Sequence, residues 1–251
     1  MAKPKLEFML FASDRRKTPN IIIQLVSELF FSILYFLAIF VGIFTPVPKY
    51  VKGKKRTVVL VCGFLGRPIT WLRMRARLIK MGYSVYTMSL GFQVGSIEKK
   101  SIKLQDYLEK NNLNDVYLVC HSMGGLIAVN MGYKGRDRVR SFITLGTPFG
   151  GTWLAIFAPF FNGVRQMIPS GPFIKKIRNM TSTISNLQGV FGSWDQIVLS
   201  QNRSRPGHFD DIKIDEIGHF NLAMGASAIE CTLELLEKKE IKDPLPEKEA
   251  K

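Results

Sequence analysis

The sequence predicts an α/β chain, with a mostly parallel central sheet covered by helices on both faces and preceded by one apolar helix. Three observations carry this. After residue 56, short apolar runs alternate with longer helical patterns, as a mostly parallel sheet requires. The runs VVLV at 58–61 and VYLVC at 116–120 are almost continuously apolar, the mark of strands buried on both faces. Near the N-terminus, residues 29–44 are apolar except for Ser32, Tyr35 and Gly42, and Pro46-Val47-Pro48 follows.

In order along the chain, strands are expected at 57–61, 84–88, 116–120, 141–145, 189–191 and 212–214. Helices are expected at 69–80, 96–110 and 123–133, with a closing helix at 221–237. The expected organisation is a basic segment at 1–20, a transmembrane helix at 21–45, a basic linker at 46–56, a catalytic domain at 57–238 and a charged, disordered tail at 239–251. About 180 residues suffice for one well-buried core.

The most informative stretch is VYLVCHSMGG at 116–125, where a buried strand ends at Ser122 and small residues follow at once. A serine held on a sharp turn between strand and helix needs small neighbours two positions away, so that the backbones can pass. Gly124 meets that need, and Cys120 stands where the pattern G-x-S-x-G has its first glycine. Two later segments supply what a nucleophilic serine lacks. Asp195 lies in VFGSWDQIV, where a strand delivers a carboxylate to the sheet edge, and His219 lies in DEIGHFNLAM, before the closing helix.

From about residue 57 to 236, the chain resembles the lipase branch of the α/β-hydrolase superfamily, in a pattern similar to small bacterial triacylglycerol lipases and esterases. The resemblance rests on CHSMGG, on VVLVCGFLGR at 58–67, on TLGTPFGGTW at 144–153, and on the WDQIV and IGHFNL segments, in that family's order. Where the family often has His-Gly in the oxyanion loop, this chain has Cys62-Gly63. The resemblance implies a Ser122, Asp195, His219 triad and an oxyanion hole from the backbone N–H groups of Phe64 and Met123. His219 would be the general base, and Asp195 would fix its tautomer and stabilise the imidazolium.

Competing residues read differently. His121 is expected to pack beside the turn, and His208, in RSRPGHFDD, to sit in a solvated loop. Asp210 and Asp211 fall in a turn and Asp215 in the strand pattern IKIDEI, while Asp115 and Asp137 are simplest as turn residues. The segment 154–186 lies where many lipases carry a lid. Its Phe157, Phe160, Phe161, Val164 and Met167 fit an acyl-chain groove, a membrane contact or ordinary core.

At about 1.5 Å per residue, 29–44 reaches only about 24 Å, whereas the stretch from Ile21 reaches about 36 Å but includes Gln24, Ser27 and Glu28. A membrane anchor is expected, with a shallow interfacial helix or hairpin as the rival. A cleaved signal peptide fits less well, because the run is long and no small-residue cleavage pattern follows. Of the net charge of +15, residues 1–56 contribute ten basic and three acidic side chains. Arg15, Arg16 and Lys17 precede the apolar run and Lys49, Lys52, Lys54, Lys55 and Arg56 follow it, a pattern suited to anionic lipid. The five-to-three excess votes weakly for a cytoplasmic catalytic domain. Nucleic-acid binding is not expected, since no such motif occurs and the basic residues gather beside the apolar run. Three cysteines argue against a disulfide framework, and no metal-ligand spacing or phosphate-cradling glycine loop occurs.

The sequence thus points to a membrane-anchored hydrolase of lipid or other acyl esters, with no cofactor. Acyl transfer by the same triad and a catalytically silent membrane-bound scaffold are the alternatives. Acyl-chain preference and oligomeric state have no readable code in the sequence.

Overall fold

The computed structural model describes residues 20–44, 47, 49–91, 93–208 and 210–244. The basic segment before residue 20 and the tail beyond residue 244 lie outside them. A helix α1 (Ile21–Phe44) leads into a seven-stranded sheet made of β1 (Tyr50–Val51), β2 (Lys55–Val61), β3 (Tyr83–Met88), β4 (Val116–His121), β5 (Val139–Leu145), β6 (Leu187–Phe191) and β7 (Ile212–Lys213). The strand order is β1-β3-β2-β4-β5-β6-β7. Every pairing is parallel except β1 with β3, so the sheet carries one antiparallel edge strand.

Helices α2 (Leu72–Lys80), α3 (Ile97–Lys110), α4 (Met123–Val129), α5 (Tyr133–Asp137), α6 (Asn162–Gln166), α7 (Pro172–Thr181), α8 (Gln201–Ser204), α9 (Asn221–Met224) and α10 (Ala226–Lys242) fill the connections. The alternation of strand side chains sorts the core into two layers. Val59, Val61, Leu118 and Cys120 face Leu104, Leu108, Ile127 and Ile177 of α3, α4 and α7. Val58, Leu60, Tyr117 and Val119 face Met74, Leu78, Leu233 and Leu236 of α2 and α10. Burial on both faces is why these strands read as unbroken apolar runs.

Several boundaries differ from the sequence expectation for local reasons. The 123–133 helix is two, because Asn130 caps α4 and Gly132, extended at ψ 166°, starts α5. The closing helix is interrupted at Gly225, also extended, and α10 then runs five residues past Glu237. Residues 239–242 are therefore helix rather than disordered tail. Arg56 fixes that end: Nη1 donates to Glu240 Oε2 at 3.0 Å and to the Asp243 carbonyl at 2.7 Å. Residues 50–51 and 55–56, expected in a linker, are strand, and Arg56 Nε also pairs with Asp115 at 2.6 Å.

The segment 154–186 is ordered by the same core. Val164, Met167 and the α7 residues Phe173, Ile174 and Ile177 are buried in the core layer that holds α4, whereas Phe157 and Phe160 are 81% and 74% exposed.

Helix α1 falls where a helix is expected, but its docking on the domain is not. It is the one helix among the described residues long and apolar enough to cross a membrane. Yet a stripe of Gln24, Ser27, Glu28, Phe31, Tyr35 and Ala38, which share one face of the helix, is wholly or largely buried against the domain. Tyr35 packs on Phe220 with ring centroids 4.7 Å apart, and the Arg73 guanidinium lies 5.2 Å from the Phe31 ring. Its amphipathy is inverted: the polar side chains face protein, and Ile22, Leu29, Phe36 and Phe40 face outward.

Candidate active site

Strands β2, β4, β5 and β6 run parallel, so their C-terminal ends open on one edge, the edge where α/β sheets present ligand-binding loops. Ser122 follows β4 at φ 54°, ψ −129°, a left-handed conformation that an L-residue holds only when its surroundings over-determine it. Here they do. The Ser122 N–H donates to Leu145 O at 2.9 Å, and its carbonyl accepts from Thr147 Oγ1 at 2.9 Å and from the Gly125 N–H at 3.1 Å. The end of β5 and the turn that follows it, TLGTP in sequence, thus brace the turn after β4.

The small residues expected around Ser122 are needed for contact. A Cβ on Gly124 would stand 2.6 Å from Val61 O and 2.7 Å from Cys62 O, and one on Gly63 would stand 2.7 Å from Ser122 Cβ. Cys120, in the position of the usual first glycine, is fully buried under α4.

Asp195 follows β6 and His219 follows β7. A parallel bridge between Trp194 and Ile217, with Gly218 N donating to Trp194 O at 2.8 Å, holds the two loops side by side. His219 Nδ1 lies 2.7 Å from Asp195 Oδ2, both side chains buried, so that Nδ1–H donates to the carboxylate. The other oxygen, Oδ1, accepts from the N–H groups of Ile197 and Val198 at 2.8 Å each. Burial pushes the Asp195 carboxyl up, but the neighbouring imidazole and the two backbone donors outweigh it and hold the group below its ordinary value. The two residues meet beside Gly146, where an added Cβ would lie 3.3 Å from Asp195 Oδ2 and 3.5 Å from His219 Nδ1.

Phe64 lies in the loop after β2, and Met123 begins the helix after β4. Among the described residues neither backbone N–H meets an acceptor. Tyr35 of α1 donates to the Phe64 carbonyl at 2.7 Å, and the Phe64 ring packs 5.7 Å from Phe161.

Other titratable residues have separate duties. His121 is buried, with Nε2 3.0 Å from the His219 carbonyl, and burial followed by the neighbouring His219 pushes it down to about 3. His208 donates to Thr181 O at 3.0 Å, away from this edge, and is half-buried rather than solvated. Asp211 accepts from the Gly189, Gly207 and His208 N–H groups, and Asp215 from Ser193 Oγ. Asp115 pairs with Arg56 and Arg140.

Two contributors escaped the sequence reading. Gln93, buried at φ 56°, donates from Nε2 to Cys62 O at 2.6 Å and so fixes the start of the Phe64 loop. Glu28 of α1 reaches the His219 loop. Gln93 has no local signal, and Glu28 had only its oddity inside an apolar run.

This architecture, with a strained serine between β4 and α4, is the α/β-hydrolase fold. Its structural neighbours agree. The chain is similar to the Bacillus licheniformis lipase BlEst2 in mature form, at 20% identity and a TM-score of 0.59, over 76% of this chain and 94% of that one. It is likewise similar to MGS-MChE2, an alpha/beta hydrolase enzyme from a metagenome of lagoon sediments of Mar Chica, Morocco, at 17% identity, TM-score 0.58, over 80% and 99%. A third neighbour is olei00960, a hydrolase from Oleispira antarctica, at 16% identity, TM-score 0.56, over 76% and 93%. No protein-family model matches the chain, and no curated protein matches it by sequence.

Proposed function

We propose that this chain is a membrane-associated serine hydrolase of lipase or esterase type, cleaving carboxylic esters of lipids or other apolar acyl groups. The observation that carries the reading is the strained, braced Ser122 at the same sheet edge as a buried His219 whose Nδ1 is hydrogen-bonded to Asp195. Ser122 Oγ attacks the ester carbonyl as His219 Nε2 takes its proton. The tetrahedral oxyanion then collapses, expelling the alcohol, which receives that proton. Water, deprotonated by His219, then attacks the acyl carbon, the Ser122 Oγ–acyl bond breaks to release the acid, and His219 returns the proton to Ser122 Oγ. The N–H groups of Phe64 and Met123 would stabilise the oxyanion, each such donor typically worth about 2.7 to 4 kcal/mol.

A fluorophosphonate probe tests this. Wild type should label and hydrolyse p-nitrophenyl esters, and Ser122→Ala should do neither. No labelling of folded, membrane-reconstituted wild type would favour a silent scaffold, while ester products formed with added alcohol would favour acyl transfer.

For the membrane, two placements of α1 compete. A single-pass anchor agrees with its length of 24 residues, about 36 Å. An in-plane helix is favoured by one observation: the docked stripe runs from Gln24 to Ala38, so a spanning helix would have to bare Gln24 and Glu28 to lipid. The in-plane placement also keeps both basic flanks on one side, the cytoplasmic one under the positive-inside rule. Cysteines placed at Asn20 and Phe44 decide it: labelling by an impermeant maleimide from one face marks both ends of an in-plane helix but one end of a spanning helix.

A further inference from the structure

Glu28, the one charged side chain of α1, is 6% exposed, and its carboxylate is fully engaged. Oε1 accepts from the Phe220 N–H at 3.0 Å and from Gln196 Nε2, and Oε2 accepts from the Asn221 N–H at 2.7 Å. Gln196 in turn presents Oε1 to the His219 N–H at 3.0 Å. Three successive backbone donors, at 219, 220 and 221, are therefore held by two side chains, one of them from α1. Buried N–H groups must find acceptors, and these lie at the end of the loop before α9 and at its first residue, where neither sheet ladder nor preceding helical turn offers any.

A second observation points the same way. Gly218 stands at φ +107°, and a Cβ there would overlap Glu28 Cδ and Oε2. The loop lacks a side chain where the carboxylate lies against it. Asn221 adds a further clasp, donating from Nδ2 to the Gln24 carbonyl at 3.0 Å.

We propose that Glu28 is a positioning residue for His219, so that the apolar N-terminal helix is part of the reaction centre and not only a membrane attachment. Asp195 fixes the His219 ring from the side of Nδ1. Glu28, directly and through Gln196, fixes the backbone that carries the ring. This rests on the triad reading above. Misplacing a reacting group by about 1 Å costs on the order of 100-fold in rate, so a loosened loop should slow the chemical step while leaving substrate binding nearly untouched.

The test uses the full chain in detergent micelles, with Glu28→Gln, Glu28→Ala and Gln196→Ala compared with wild type. Active serines are counted by exhaustive fluorophosphonate labelling, and kcat and KM for p-nitrophenyl butyrate are expressed per labelled serine. We expect kcat to fall about 10- to 100-fold in Glu28→Ala and less in Glu28→Gln and Gln196→Ala, with KM within about twofold in each. A merely structural glutamate would lower the number of labelled serines and leave the rate per serine unchanged. That result overturns the proposal, and Glu28→Gln or Gln196→Ala decides the matter if Glu28→Ala does not fold. Failure of the wild type to label Ser122 is a different outcome and overturns the hydrolase reading itself.

Discussion

The rings of His121 and His219 lie 4.6 Å apart, centroid to centroid, and His121 Nε2–H donates to the His219 carbonyl at 3.0 Å. Two imidazoles this close, both buried, cannot readily carry charge together. Burial and His219 push His121 from 6.5 down to about 3. The unfolded chain therefore binds more protons than the folded one between about pH 6.5 and 3. Stability rises with pH across that window and is lost on acidification through it. His121→Phe should remove this dependence while costing stability at pH 7, because the His219 carbonyl loses a donor. Urea midpoints at pH 7 and pH 4.5 check it: the drop between the two should be smaller in the variant, and an equal drop would refute the assignment.

Asp195→Asn isolates the role proposed for the carboxylate. An amide keeps an oxygen for the Ile197 and Val198 N–H groups and turns its NH2 toward His219 Nδ1. Nδ1 must then be the acceptor, which moves the ring proton to Nε2, the nitrogen required as base. A loss of about 10⁴-fold in kcat is expected with the fold retained. Ester turnover and circular dichroism on the same sample decide it, and turnover within tenfold of wild type would exclude Asp195 as the third member.

Much of this was legible in the sequence where the signal is local. The strands after residue 56 announce themselves because both faces are buried, and Ser122 because a tight strand-to-helix turn demands Gly124. Gly218 before His219 was visible, but its reason was not, since the atom it makes room for belongs to Glu28, far back in the chain. Likewise α1 reads as a membrane segment, because an amphipathic pattern is scored against water, and here Gln24, Ser27 and Glu28 lie on the face that docks while most of the apolar side chains face outward. The split at Gly132 and the two-residue edge strand β1 lie below what periodicity resolves.

Gly124→Ala should destabilise rather than merely slow the protein. The added methyl meets two backbone carbonyl oxygens, at 2.6 and 2.7 Å, which cannot rotate away as a side chain would. Overpacking of this kind typically costs about 1 to 3 kcal/mol. A lowered thermal midpoint is expected, with the rate per labelled serine changed less than the midpoint implies. An unaltered midpoint would mean that α4 is free to shift away from β2.

Phe157 and Phe160 separate the membrane reading from the chemistry. Both are exposed, and the Phe160 ring lies tilted 4.6 Å from Phe161, which packs on Phe64 beside the proposed oxyanion hole. Apolar side chains held in water at the edge of a site have no folding reason to be there, and a bilayer would cover them. The double variant Phe157→Ser, Phe160→Ser should change stability by no more than about 0.5 kcal/mol. It should leave hydrolysis of a soluble short-chain ester unchanged and slow hydrolysis of long-chain esters presented in anionic vesicles. Equal loss on both substrates would place these rings in the acyl pocket instead, and no loss on either would refute a lipid contact at these rings.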